Sequence, residues 1–354
     1  MRMWQSRLTS IFMSIWLSVT LAACGGVGGT TTADGGIGGT GVISAYGSIW
    51  VNGRHLLIDD AEILVKGMRM PGMMDGDEHR GLRIGMVVDY QATPNADGTY
   101  TATYVSYDDE MEGVVQENRV ATEGVLIVMG QTVDVSDVVA DMANRYEDET
   151  GTFAALADIP QGAVVEVSGF ADGTGRIKAT RIEVTDDNWM PGPGGGDGEV
   201  DIKGVVANLD PDGKTFTIGM LTVDYSNASV PVGLSNGLYV EVKSDRGIEM
   251  GNGMNATMIA SEISLENEGG HGVGGEAGDE VELEGWVTQA YANGRVEVNG
   301  QTVLVDAGDM KGGRAPADLI EGVEVSVSGV LTAGGMVDAR EVEIKDSGEE
   351  GDDD

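Results

Sequence analysis

Apolar and polar residues alternate in short runs along most of this chain, most plainly between residues 281 and 344. ELEGWVTQAY, NGRVEVNG, QTVLVD, VEVSVSG and VDAREVEIK each set an apolar side chain at every second position, the period that buries one face of a β-strand. Asn299-Gly300 separates two of these runs and predicts a tight hairpin, because both residues accept the left-handed backbone such a turn needs.

The same order of runs recurs upstream. Each copy opens on Gly-Val or Gly-Trp (Gly41, Gly113, Gly204, Gly285), and each has a turn glycine before its fourth run (Gly85, Gly162, Gly237, Gly322). Three strands, a variable connection and a final hairpin make up the order of an OB-like five-stranded barrel. The expected fold is therefore all-β: four tandem five-stranded OB-like barrels, at 40–109, 110–187, 200–267 and 280–346. Gly-rich linkers at 188–199 and 268–279 join the last three, and the termini are expected to be disordered. Sandwiches that share strands between neighbouring units are the alternative, since no linker separates Asp109 from Glu110. Within the second unit, Val139, Met142, Ala143 and Tyr146 have the spacing of a short amphipathic helix.

Composition adds an address. Arg2 and Arg7 precede an apolar stretch at 8–21, and Leu21-Ala22-Ala23-Cys24 ends on the only cysteine. This resembles a bacterial lipoprotein signal, which implies cleavage after residue 23, a lipid on Cys24 and a membrane partner for that lipid. Gly25 and Gly26, with no aspartate after the cysteine, imply an outer-membrane lipoprotein of the cell envelope. Residues 24–39 read as a Gly-rich tether and 347–354 as an acidic tail. Without the leader, 19 basic residues face 59 acidic ones, a charge of about −40, which disfavours nucleic acid as a partner.

GVISAYGSIWVNG (41–53), YDDEMEGVV (107–115), VEVSGF (165–170) and ATRIEV (179–184) resemble bacterial lipoproteins that contain the domain of unknown function 5666. The resemblance implies repeated small β-domains in the envelope and implies no catalytic residues.

Candidate chemistry is sparse. Gly233-Leu-Ser235-Asn-Gly237 has the spacing of a hydrolase nucleophile elbow, with His271 downstream. A strand follows it where an elbow requires a helix, so it reads as a turn. Met68, Met70, Met73, Met74 and His79 form a cluster whose soft sulfurs suit Cu(I). Trp50 and Trp286 read most simply as core or interface packing, and are alternatively candidate aromatics for a sugar-binding barrel face. The expected function is non-enzymatic: a lipid-anchored binding or scaffold module for an envelope protein or polymer. The alternatives are Cu(I) binding or buffering through the Met-rich loop and oligosaccharide binding on a barrel face.

Overall fold

The computed structural model describes residues 36–72, 79–172, 175–188, 200–246, 248–250, 256–265, 275, 277–299 and 301–345. The leader, Cys24, Met73, Met74, His271 and the acidic tail lie outside the described residues. Strands follow the alternation closely. Residues 37–107 form β1 (Ile37–Tyr46), β2 (Ile49–Val51), β3 (Arg54–Leu57), β4 (Glu62–Val65), β5 (Met68–Arg69), β6 (Val87–Pro94) and β7 (Tyr100–Tyr107). Residues 111–186 form β8 (Met111–Arg119), β9 (Val125–Val128), β10 (Gln131–Asp134), β11 (Tyr146–Asp148), β12 (Val164–Ala171) and β13 (Arg176–Asp186). Residues 200–265 form β14 (Val200–Val205), β15 (Ala207–Asp210), β16 (Thr215–Ile218), β17 (Leu221–Asp224), β18 (Tyr239–Ser244), β19 (Ile248–Met250), β20 (Ala256–Ile259) and β21 (Glu262–Leu265). The last strands are β22 (Glu280–Ala292), β23 (Arg295–Val298), β24 (Gln301–Leu304), β25 (Glu324–Leu331) and β26 (Val337–Ile344). No helix among the described residues is long and apolar enough to cross a membrane.

Two OB-like five-stranded barrels close on themselves. One runs β8–β9–β10–β13–β12 and back to β8; the other runs β22–β23–β24–β26–β25 and back to β22. In both, the third strand lies parallel to the fifth while the remaining pairs are antiparallel. Closure removes the bare edges that an open sheet would present. Residues 37–107 carry the corresponding pairings, β1–β2–β3–β7–β6–β1, with β4 and β5 added along β7. Residues 200–265 split into two ladders, β14–β18–β21 and β15–β16–β17–β20–β19.

Backbone ladders also pass between segments. β1 runs parallel to β22, from Ile37 opposite Glu280 to Thr40 opposite Leu283. β8 pairs antiparallel with β14 at Glu112 and Met111. The segments are thus joined by strand pairing as well as by covalent links. Buried residues of 111–186 and 200–265 form one continuous hydrophobic cluster, whereas the first and last segments each keep their own.

Three sequence expectations need correction here. The tether does not extend to residue 39: Ile37 is buried and Gly39 lies in β1, where an added side chain would run into the Glu282 carbonyl and the Tyr90 ring. The amphipathic helix is broken into Ser136–Ala140 and Met142–Arg145 by Asp141, and Tyr146 begins β11. Val138 is the buried residue and Val139 is exposed, so the inward face is one position off the expected stripe.

The recurring opening glycine has a steric cause. A Cβ on Gly41 would collide with the Asn52 carboxamide, and one on Gly285 with that of Asn299. Asn299, in the turn after β23 with φ 47°, uses that space to accept from the Trp286 N–H (2.9 Å) and to donate to the Glu284 carbonyl (3.1 Å). The hairpin turn is thereby pinned across the first strand. Gly285→Ala is expected to destabilise the protein by about 1–3 kcal/mol in urea unfolding, the usual range for overpacking a tight site. An unchanged midpoint would show that the asparagine moves aside at no cost.

Candidate functional site

Where the first, second and last segments meet, a cleft of about 390 Å³ opens. That volume falls in the range of roughly 300–1,000 Å³ usual for small-molecule sites. Val42, Ser44 and Asn52 line it from the first segment, Arg145, Phe170, Lys178 and Thr180 from the second, and Glu282, Glu284, Glu324 and Lys345 from the last. Ion pairs hold its walls together. Lys178 Nζ donates to Glu324 (2.9 Å) and lies 3.2 Å from Asp137, while Arg54 makes a two-pronged pair with Glu282 across the β1–β22 seam. Burial pushes the Glu284 carboxyl above its usual range; Lys345 works against that shift and Glu324 adds to it. Arg145 reaches the Thr180 carbonyl through one terminal nitrogen, and its buried Nε lies 3.6 Å from Asp141.

A small apolar contact of Val87, Phe170 and Trp286, with Val42 against it, joins the same three segments. Trp286 is 7% exposed and Arg176 lies over its ring, so it is a seam residue rather than a binding-face aromatic. Trp50 does face outward, stacked on His55 with the planes 5° apart. Of the methionine cluster, Met68 is exposed on β5, Met70 packs against the first core, and the His79 ring sits 3.7 Å from that of Tyr46. Met73 and Met74 lie outside the described residues. Ser235 precedes β18, as the turn reading required.

Sequence reasoning missed two charged centres. Arg80 is buried and donates to the carbonyls of Ile58, Ala61, Met70 and Pro71, fixing the backbone at those positions. At the junction of the first three segments, Lys66 Nζ donates to Glu112 (3.0 Å) and Glu166 (2.8 Å), and Lys203 Nζ donates to Asp108 and to the Asp109 carbonyl, both at 2.7 Å. The Tyr107 hydroxyl donates to Glu166 (2.6 Å) and lies 2.9 Å from Ser168. A lysine isolated in an otherwise acidic stretch, as Lys66 and Lys203 are, was the only signal in the sequence.

Burial pushes the Asp201 carboxyl up to about 7, with Lys66 opposing the shift and Glu241 reinforcing it. Glu183 also reaches about 7: burial outweighs the attraction of Arg181, and Glu166 and Glu147 add repulsion. Both groups hold a proton more tightly in the folded chain than in the unfolded one, where carboxyls titrate near 4. The folded state therefore binds more protons between about pH 4 and 7, and stability falls as pH rises through that window. In chelating buffer, the unfolding free energy is expected to be lower at pH 8 than at pH 5 by on the order of 1–3 kcal/mol, with a smaller difference in Glu183→Gln. A flat profile in the parent chain would contradict these shifts.

Among curated proteins none matches this chain. Four chains among solved structures do. One of them, titled "drosophila Unr CSD456", is 16% identical over 56% of this chain and 85% of its own, with a TM-score of 0.16. The family model described as "Domain of unknown function (DUF5666)" matches residues 112–183 and 284–343, the spans of the two closed barrels. The chain thus carries two copies of the domain of unknown function 5666.

Proposed function

We propose that this chain is a lipid-anchored envelope protein, held to the outer membrane through Cys24, that binds a segment of an envelope polymer without transforming it. On this reading the segments at 37–107 and 200–265 are further versions of the barrel unit, which makes four in all. The ring of pairings in 37–107 supports the first. The strand order of 200–265, with its first and last strands each broken in two, supports the second.

The cleft carries the proposal. Three segments supply cations (Arg145, Lys178, Lys345), carboxylates (Glu282, Glu284, Glu324) and hydroxyls (Ser44, Thr180, Ser326) to one concave surface. Donors and acceptors of both charges, with little apolar wall, suit an amphoteric, hydroxyl-rich ligand better than a lipid or a hydrophobic cofactor. A glycan whose amino sugars bear short peptides has that chemistry. Arg145, ion-paired to Asp141 and reaching the Thr180 carbonyl, presents such a ligand with a positioned cation.

Titration with soluble muropeptides tests this by calorimetry. Saturable binding is expected, weakened at least tenfold in Arg145→Met, about 1.4 kcal/mol, as for the loss of one charge-assisted contact. Equal binding by Arg145→Met, or none by the parent, would remove the cleft as the polymer site. A second reading, Cu(I) binding, rests on Met68, whose 66% exposure leaves a soft ligand facing solvent beside the loop of Met73 and Met74. It predicts stoichiometric Cu(I) uptake against a competing chelator, abolished when Met68, Met70, Met73 and Met74 are replaced by leucine.

A further inference from the structure

The junction of the first three segments contains an unbalanced group of buried carboxylates. Asp109, between β7 and β8, Glu112 on β8 and Asp201 on β14 each bring one carboxylate oxygen to within 4.8 Å of the other two. Asp109 is 2% exposed. Its Oδ1 lies 3.4 Å from Lys66 Nζ and its backbone carbonyl accepts from Lys203, yet its Oδ2 is buried with no hydrogen-bond partner. Carboxylate oxygens in protein interiors are ordinarily satisfied by donors or by a cation, because desolvating them otherwise carries a large penalty.

The local charge points the same way. Asp109, Glu112, Glu166 and Asp201 set four carboxylates against the ammonium groups of Lys66 and Lys203, and Lys203 is shared with Asp108. With Asp108 counted, five carboxylates face two ammonium groups, and a divalent cation offsets most of that excess. Lys66 engages Oδ1 of Asp109 and Oε2 of Glu112, which leaves the buried Oδ2 for a second cation.

We propose that Asp109, Glu112 and Asp201 form a Ca²⁺ site that ties the first three β-segments together. The ligand set is all hard oxygen, which selects against Cu(I) and other soft ions. Ca²⁺ accepts carboxylate ligands in flexible geometry, whereas Mg²⁺ dehydrates reluctantly and seldom takes an all-protein cage, which favours Ca²⁺ here. Glu112 and Lys66 are both partly exposed, so the group is open to solvent on that side. The site is separate from the cleft and does not depend on the polymer reading.

The full chain, stripped with chelator and dialysed, would be titrated with CaCl₂ by calorimetry at 150 mM salt and melted with and without the ion. One saturable site per chain and a raised melting temperature are expected. Asp109→Asn should weaken binding at least tenfold while keeping the parent circular dichroism, and Glu112→Gln, at a more exposed position, provides the same test if the first variant misfolds. Lys66→Met, which removes the competing ammonium, should bind Ca²⁺ more tightly. Heat without saturation, or affinities unchanged across these variants, would mean only diffuse attraction to the acidic surface and would overturn the proposal, as would Mg²⁺ binding as tightly as Ca²⁺.

Discussion

The chain passes from its first barrel-like segment to its second with no linker, and Asp108-Asp109-Glu110 is the crossing. Asp109 and Glu110 are almost fully buried there. Two buried acids so close together are tolerable only if cations arrive from elsewhere. Lys66 comes from the turn between β4 and β5, and Lys203 from β14. Each lysine therefore recruits another part of the chain to the junction, and the β8–β14 ladder fixes the third segment against the second. The cores of those two segments merge behind it.

The last segment is attached by different means. β22 lies against β1 through backbone bonds reinforced by the Arg54–Glu282 pair, and the Lys178–Glu324 pair ties the last segment to the second. Trp286, Phe170 and Val87 fill the apolar part of the contact. The cleft is what remains open beside it, so its walls are fixed by the interactions that hold the segments together. A ligand there would meet a largely prearranged surface, which lowers the entropy lost on binding.

Much of this architecture was legible in the sequence, because alternation marks strands and the opening glycines mark where a hairpin turn lies on the first strand. Gly41 and Gly285 are glycine on account of Asn52 and Asn299, a pairing that the repeat shows but cannot explain. The pairing between segments was not legible. Backbone hydrogen bonds between β1 and β22 leave no side-chain signature, and their partners are about 240 residues apart. Trp286 was open to both a packing and a binding-face reading, since an aromatic on an alternating strand looks the same whether it faces solvent or another barrel. Nothing in the sequence singled out the burial of Arg80 or Asp109, because composition carries no information on burial.

The β1–β22 pairing closes a loop of about 240 residues, with β1 waiting for β22 to be made. During synthesis, the outer edge of Ile37–Thr40 stays bare until Glu280–Leu283 emerges, so this contact must form late and over a long loop. A product truncated before β22 would keep that edge exposed, a ready template for pairing with another chain. Protection of the β1 edge is in this way tied to a segment made about 240 residues later.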